Sequence, residues 1–168
     1  MNTKILSFLC LCLVFLSLPI AAKNNQQALF LNQIFGAEIP RPQRFKLNSE
    51  IQKEIKKILG HAYYLKRIKY WQKDGKRLWI LNETGKTKYI TAGFVIENNQ
   101  IITTKVLKFR ESRGSEIQFP FFTKQFKNTN IDHNNELNQH IDGITGATLS
   151  VRAMVKMARL ALYLDQVL

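Results

Sequence analysis

The segment YITAGFVIENNQIITTKVLKF, residues 89–109, decides the fold of this chain. It contains two runs rich in β-branched and aromatic residues, 89–97 and 101–109, with Asn98 and Asn99 between them. Runs of this composition at hairpin distance predict two antiparallel strands joined by a tight turn. The segment therefore predicts the centre of an antiparallel sheet.

Two further runs of the same texture precede this hairpin. Residues 63–73 and 77–82 are rich in aromatic and β-branched side chains, and the turn signals Asp74-Gly75 and Thr84-Gly85 follow them. Such short connections force neighbouring strands to pair antiparallel. The sequence thus predicts a four-stranded antiparallel meander.

Helical patterns flank the predicted meander on both sides. We expect helices at residues 26–35, from the capping residue Asn48 to Leu59, from Pro120 over a short stretch, and at residues 148–164. The Pro40 to Pro42 stretch is expected to be a stiff connector, and the Asn-rich residues 128–140 an exposed loop. These elements predict an α+β fold in which the meander packs with helices.

The composition limits the class of protein. The chain has 168 residues, 45% of them hydrophobic, which supports one folded domain and excludes wholesale disorder. Its 25 basic against 12 acidic residues give a net charge of +13 and predict attraction to anions. Lysines on solvated sheet edges are the alternative explanation of this charge.

The first 22 residues are typical of a secretory signal. Lys4 precedes the apolar residues 5–18, and small residues at Ala21 and Ala22 predict cleavage after Ala22. The apolar stretch is short for a membrane span, which needs about 20 residues. We expect an exported, periplasmic protein, with an uncleaved N-terminal membrane anchor as the alternative.

Both cysteines, Cys10 and Cys12, lie inside this signal. The expected mature chain therefore has no thiol, which excludes thiol redox chemistry and thiolate metal sites. Loss of Lys4 with the signal leaves a net charge of about +12, so the basic character belongs to the folded domain.

The segment DGITGATLS, residues 142–150, opens the predicted C-terminal helix. Its small residues leave the hydroxyl of Thr148 uncrowded, and Gly146 lets another backbone approach. A phosphate placed there would meet free amide groups and the positive end of the helix dipole. The alternative is an ordinary helix capped by a threonine behind a glycine turn.

This segment resembles the attachment motif of the FMN-binding domain of covalently flavinylated exported proteins, such as the C subunit of sodium-pumping NADH:quinone oxidoreductase. The resemblance implies that FMN is bound to Thr148 through a phosphoester. It also implies that Asp142, Thr145, Gly146 and Ala147 are recognised by an FAD:protein FMN transferase. That enzyme cleaves FAD with magnesium and leaves the FMN part on the protein.

A second part of the resemblance lies upstream of the motif. Glu111-Ser112-Arg113-Gly114 stands where the family often has a Glu-Thr-Pro-Gly loop leading to the flavin, so the resemblance implies that Glu111 and Gly114 contact the cofactor. Arg113 replaces the proline of that loop. The similarity spans most of residues 62–164, and the implied division is a signal at 1–22, an N-terminal helical segment at 23–61 and an FMN-binding domain at 62–168.

Other candidate sites are weaker. His133 and His140 have Asp132 nearby but no clear third ligand, so we expect no metal site. Phe121 and Phe122 are expected in the core rather than beside a cofactor. No residue pattern indicates a catalytic nucleophile or a phosphate loop.

The resemblance implies an electron-transfer flavoprotein whose partner is a membrane reductase or a haem protein, and not nucleic acid. The rival hypothesis is a basic exported module that binds an anionic polymer or the envelope surface without flavin. A third is a structural protein whose motif has lost its use. The basic stripe Arg152, Lys156 and Arg159 predicts either a docking site for an acidic redox partner or a solvated helix face.

Overall fold

A computed structural model describes residues 26–168 of the chain. The expected signal at residues 1–22, with Cys10 and Cys12, lies outside the described residues. Within residues 26–168, no helix combines the length and the apolar character needed to cross a membrane.

The described residues form the α+β fold expected from the sequence. In chain order the elements are α1 (Gln26–Phe35), β1 (Gln43–Lys46), α2 (Ser49–Leu59), β2 (Arg67–Lys73), β3 (Lys76–Thr84), β4 (Tyr89–Glu97), β5 (Gln100–Lys108), α3 (Pro120–Thr123) and α4 (Thr148–Gln166). Two short 3-10 turns, Ser115–Gln118 and Lys124–Phe126, flank α3. Helices α1, α3 and α4 begin at the predicted residues, and α2 is capped by the Asn48 side chain as expected.

All strands pair antiparallel in the order β1-β2-β3-β4-β5. The prediction of four strands is wrong by one, because β1 adds an edge strand next to β2. Only Phe45 of its four residues is partly buried, so the strand carries no alternating pattern. Pairing with β2 and a hydrogen bond of 2.6 Å from the Tyr70 hydroxyl to Gln43 hold β1 in the sheet.

The sheet has a separate apolar cluster on each face. Trp79, Leu81 and Phe94 pack with α2 and α4 on one face. The other face is covered by α1, whose Phe30 packs directly over Gly93. A Cβ atom at Gly93 would lie 2.7 Å from the Phe30 ring, so only glycine permits this contact.

The C-terminal end of α4 is tied to strand β3. The carboxylate of Asp165 is buried, accepts a hydrogen bond of 3.0 Å from Trp79 Nε1, and forms an ion pair of 2.8 Å with Arg77. Because one end of α4 is fixed to the sheet and α4 also packs on β4 and β5, its opposite end is held in a defined position.

The short helix predicted at Pro120 is present, but the prediction for its phenylalanines is only half right. Phe122 is fully buried, as expected, whereas Phe121 is exposed and stacks on the exposed Phe119. On this single turn Phe122 faces the sheet and Phe121 faces solvent, because adjacent helical residues point in different directions.

The Asn-rich segment is more closely packed than the predicted exposed loop. An isolated bridge joins Ile131 to Leu137, and Arg159 of α4 donates to the carbonyl of Asn135 at 2.6 Å and pairs with Glu136 at 2.7 Å. The Arg159 side chain is only 16% exposed. Arg159 is therefore tied to the Asn-rich segment, so the prediction of a solvated side chain is wrong at this position, while docking of an acidic partner at the stripe stays a prediction.

Candidate functional site

The candidate site lies at the start of α4. Gly146 adopts a positive φ of 82°, Ala147 occupies the N-cap position, and Thr148 is the first helical residue and is exposed. No side chain caps this helix, so the alternative of a threonine-capped helix is wrong. The amide groups of the first turn have no intrahelical acceptor.

The loop at residues 111–114 packs against this helix start. Gly114 has a φ of 85°, and a Cβ atom at this position would lie 3.1 Å from both the Ala147 Cβ and the Ser150 Oγ. The fold therefore brings together the two stretches that the resemblance singled out, although they are separated along the chain by the α3 region. Close backbone approach and positive φ both require glycine here.

A cleft of about 600 Å³ opens at this junction. Its walls are Lys86, residues 111–113 and residues 146–150. The volume lies in the range typical of ligand sites, about 300–1,000 Å³. Lys86 and Arg113 are exposed on its rim and have no ion-pair partner among residues 26–168, so the cleft favours an anionic ligand.

Glu111 borders the cleft, but its carboxylate is bound to the β3–β4 turn. The amides of Lys86, Thr87 and Lys88 donate to Oε1 at 2.6, 2.7 and 2.8 Å, and the Thr87 hydroxyl donates to Oε2 at 3.1 Å. The amides of Lys88 and then Thr87 hold the pKa of Glu111 below its usual value. In this structure Glu111 fixes the turn that carries Lys86 to the cleft.

Asp142 and Thr145 are exposed and do not line the cleft. The Asp142 side chain is 84% exposed and lies 3.9 Å from His140 Nε2, while its backbone amide donates to Gln125 Oε1 at 2.7 Å. The backbone at Asp142 is thus anchored and its carboxylate is open to solvent. The structure separates these two motif residues from Gly146, Ala147 and Thr148, which form the cleft wall.

Five residues of the cleft wall were not among the predicted site residues: Lys86, Ser112, Arg113, Leu149 and Ser150. Ser150 is 4% exposed as a residue and lines the cleft. Its position at the end of the quoted motif was the available signal. Nothing in the sequence distinguishes Lys86 as a site residue, because several lysines lie near predicted turns.

A second cleft lies beside the start of β2 and contains a buried carboxylate. His61 donates from Nδ1 to the Ala62 carbonyl at 3.0 Å, and its Nε2 lies 3.0 Å from both oxygens of Glu83. The Ala62 carbonyl and then Glu83 raise the pKa of His61. Burial raises the pKa of the neighbouring Tyr63 to about 12. This arrangement stabilises a doubly protonated His61.

A metal site is not found in the described region: residues 26–168 contain no group of three or more His, Cys, Asp or Glu side chains that could hold a metal ion. His133 and His140, the histidines considered from the sequence, both lie at exposed positions.

A family model described as FMN-binding domain matches residues 85–163, which contain both Lys86 and the whole 142–150 segment. No curated protein gives a significant match to the chain.

Proposed function

We propose that this chain, whose residues 85–163 match the FMN-binding domain family, binds FMN, carries it on Thr148 as a phosphoester and works in electron transfer. The observation that carries the covalent assignment is the position of Thr148. It is an exposed hydroxyl on the first residue of an uncapped helix, at the wall of a cleft with unpaired cations.

The residues of the cleft fit the phosphate end of FMN. Free amides at the start of α4 and the helix dipole favour an anion, and Lys86 and Arg113 supply positive charge at the rim. Gly114 and Gly146 keep side chains away from this helix start. Nothing in the cleft wall other than Glu111 is acidic, and the carboxylate of Glu111 is already satisfied by the turn.

Attachment requires a partner enzyme, an FAD:protein FMN transferase. In the proposed step the Thr148 oxygen forms a bond to the phosphorus of the FMN half of FAD, and the pyrophosphate bond breaks. AMP leaves, and the hydroxyl proton passes to a base or to water. No oxidation or reduction accompanies this step.

Once bound, FMN supplies the one- and two-electron chemistry, and the chain supplies position and electrostatics. We propose that the protein acts after export to the periplasm, and that its redox partner is a membrane reductase or a haem protein. Covalent attachment suits that location, because a cofactor lost outside the cytoplasm cannot readily be replaced.

The test is coexpression of the full chain with and without an FAD:protein FMN transferase, followed by denaturation and intact-mass analysis. We expect the mass of FMN less one water, and flavin absorbance that stays with the denatured chain, only when the transferase is present. A colourless chain of unmodified mass with an active transferase would contradict covalent attachment and favour the rival binding module.

A further inference from the structure

We propose that one face of the sheet, at its β1–β2 edge, binds the surface of a membrane rich in anionic lipid. Arg44 and Lys46 of β1 and Arg67 and Lys69 of β2 form this surface, which we call the basic face. The inference goes beyond the proposed function, because it assigns a second interaction surface and requires no flavin.

The register of β1 and β2 places like charges opposite each other. Arg44 lies opposite Lys69, and Lys46 lies opposite Arg67. Like charges directly opposite on neighbouring strands destabilise a sheet. Four exposed cations therefore share one small area although they repel each other, and a bound anionic surface would relieve that repulsion.

The basic face is open to a ligand outside the chain. Phe45, Ile68 and Tyr70 pack into the apolar cluster on the α2 and α4 side of the sheet. Because side chains alternate along a strand, the four cations between and beside them lie on the opposite side, which α1 partly covers. Their side chains form no ion pair or hydrogen bond within residues 26–168.

Protection of an exposed strand edge explains only half of the basic face. Cations on an edge strand commonly prevent its pairing with another chain, and this accounts for Arg44 and Lys46 on β1. Strand β2, however, is paired on both sides, with β1 and with β3. Arg67 and Lys69 therefore need another explanation, and an anionic ligand supplies it.

Exposed aromatic and apolar side chains next to the basic face favour a membrane over an acidic protein. Tyr64 is 89% exposed, Leu65 57% and Tyr89 61%, and all three line one cleft with Arg110. Tyr64 and Leu65 directly precede the basic part of β2 in the chain. Tyrosine is enriched at membrane interfaces, where its ring lies at the headgroup level and its hydroxyl stays hydrated. Basic clusters beside such residues are typical of binding to anionic lipid.

The acidic residue that lines this cleft does not oppose anionic lipid. Glu83 is 4% exposed, and both of its carboxylate oxygens lie 3.0 Å from His61 Nε2. Its charge is therefore paired within the chain. The cleft presents tyrosine rings and a cation to a membrane rather than a free carboxylate.

The test measures binding of the exported protein to lipid vesicles by cosedimentation. One set contains equal amounts of phosphatidylglycerol and phosphatidylethanolamine, and the other has neutral phosphatidylcholine in place of phosphatidylglycerol. At low ionic strength we expect about tenfold or greater preference for the anionic set. The preference should fall as salt rises toward about 1 M, where the screening length is about 3 Å. An N-terminal anchor would raise binding to both sets equally, so it cannot produce this preference.

The double variant Arg67→Gln, Lys69→Gln has a matched control in Lys124→Gln, Lys127→Gln, which removes the same charge from an exposed segment after α3. Each basic residue near an anionic surface contributes about fivefold in affinity, so the first variant should bind roughly 25-fold more weakly. The control should stay within about twofold of wild type, because its lysines lie outside the basic face. The melting temperature of the first variant should rise, since its like-charge pairs are gone, and this verifies that the fold is retained.

Tyr64→Ser tests the aromatic part of the surface. It should weaken the vesicle binding that remains at high salt and change the salt-sensitive part little, because the ring carries no charge.

Three results would overturn membrane binding by the basic face. The first is equal binding of the wild-type protein to anionic and neutral vesicles, or binding to neither. The second is an equal effect of the two double variants. The third is binding of soluble polyglutamate as tight as that of anionic vesicles, with vesicle binding unchanged in Tyr64→Ser, which would assign the face to an acidic protein. Flavinylation is measured separately by intact mass, so the failure of either proposal leaves the other intact.

Discussion

Thr87 is held by Glu111 through two hydrogen bonds, one from its amide to Oε1 at 2.7 Å and one from its hydroxyl to Oε2 at 3.1 Å. The amides of Lys86 and Lys88 also donate to this carboxylate. Glu111 therefore holds the β3–β4 turn in place. The resemblance implied that Glu111 contacts the cofactor. In the structure, Glu111 also positions Lys86 at the cleft wall that contains Thr148.

Glu111→Gln should lower thermal stability at neutral pH, because the amide group cannot replace the ionised acceptor. The amides of Lys88 and Thr87 hold the pKa of Glu111 below its usual value, so its contribution to stability is present above pH 4.5 and is lost as the pH falls through the lowered pKa. The melting-temperature difference between wild type and variant should therefore be largest near pH 7 and shrink below pH 4. A difference independent of pH would contradict this role.

Thr148→Val should abolish covalent flavin and change the free energy of unfolding by no more than about 0.5 kcal/mol, as for an exposed position without special contacts. The sequence alone suggested the loss of a capping contact, but no side chain caps α4. Intact mass after coexpression with the transferase measures the first effect, and chemical denaturation the second. Thr84→Val is the matched control, since Thr84 is an exposed threonine outside the motif that does not line the cleft. Its mass should still include FMN.

Asp142→Asn should slow flavinylation at limiting transferase without lowering stability, because the Asp142 carboxylate is 84% exposed and has only a 3.9 Å contact with His140. The rate of mass increase measures the effect. Asp132→Ala is a useful control: it removes a carboxylate that accepts the amides of Asn134 and Glu136, so it should lower the melting temperature and leave the labelling rate unchanged. An unaltered labelling rate for Asp142→Asn would remove this residue from transferase recognition.

Gly114→Ala should destabilise the fold by about 1–2 kcal/mol, the typical cost of a left-handed conformation for a residue with a Cβ atom. The new methyl group would also lie 3.1 Å from Ala147 and from the Ser150 oxygen. Gly143→Ala, which meets no atom within 4 Å, is the control and should be nearly neutral. Chemical denaturation gives both values. Equal stability of the two variants would show that the 111–114 loop does not pack closely on α4.

His61→Ala should destabilise the protein more at pH 5.5 than at pH 9. The Ala62 carbonyl and the Glu83 carboxylate raise the pKa of His61, so its contribution is fully present below the unfolded pKa of about 6.5 and is lost as the pH rises through the raised value. Because the side chain is 49% exposed, we expect a difference of no more than about 1 kcal/mol between the two pH values. Denaturation midpoints at both pH values measure the loss of stability. A larger loss at pH 9 than at pH 5.5 would contradict stabilisation by the charged form of His61.

The sequence alone determined the elements whose signals are local. Strand β4 begins and ends at the predicted residues, β5 is shifted by one residue, and α4 begins at Thr148 as the motif suggested. These features depend on the alternation of side chains, on turn residues such as Asn98 and Asn99, and on short-range helix signals, all of which can be read in a short window.

Tertiary structure alone decided the features that join distant parts of the chain. Strand β1 forms because β2 supplies its hydrogen-bond partners. Arg159 is only partly exposed because it forms an ion pair with Glu136. Ser150 is buried because Gly114 packs over it. A single polar residue has no periodicity, so its partner cannot be read from its neighbours in sequence. Such contacts are fixed only when the sheet and α4 have brought those segments together.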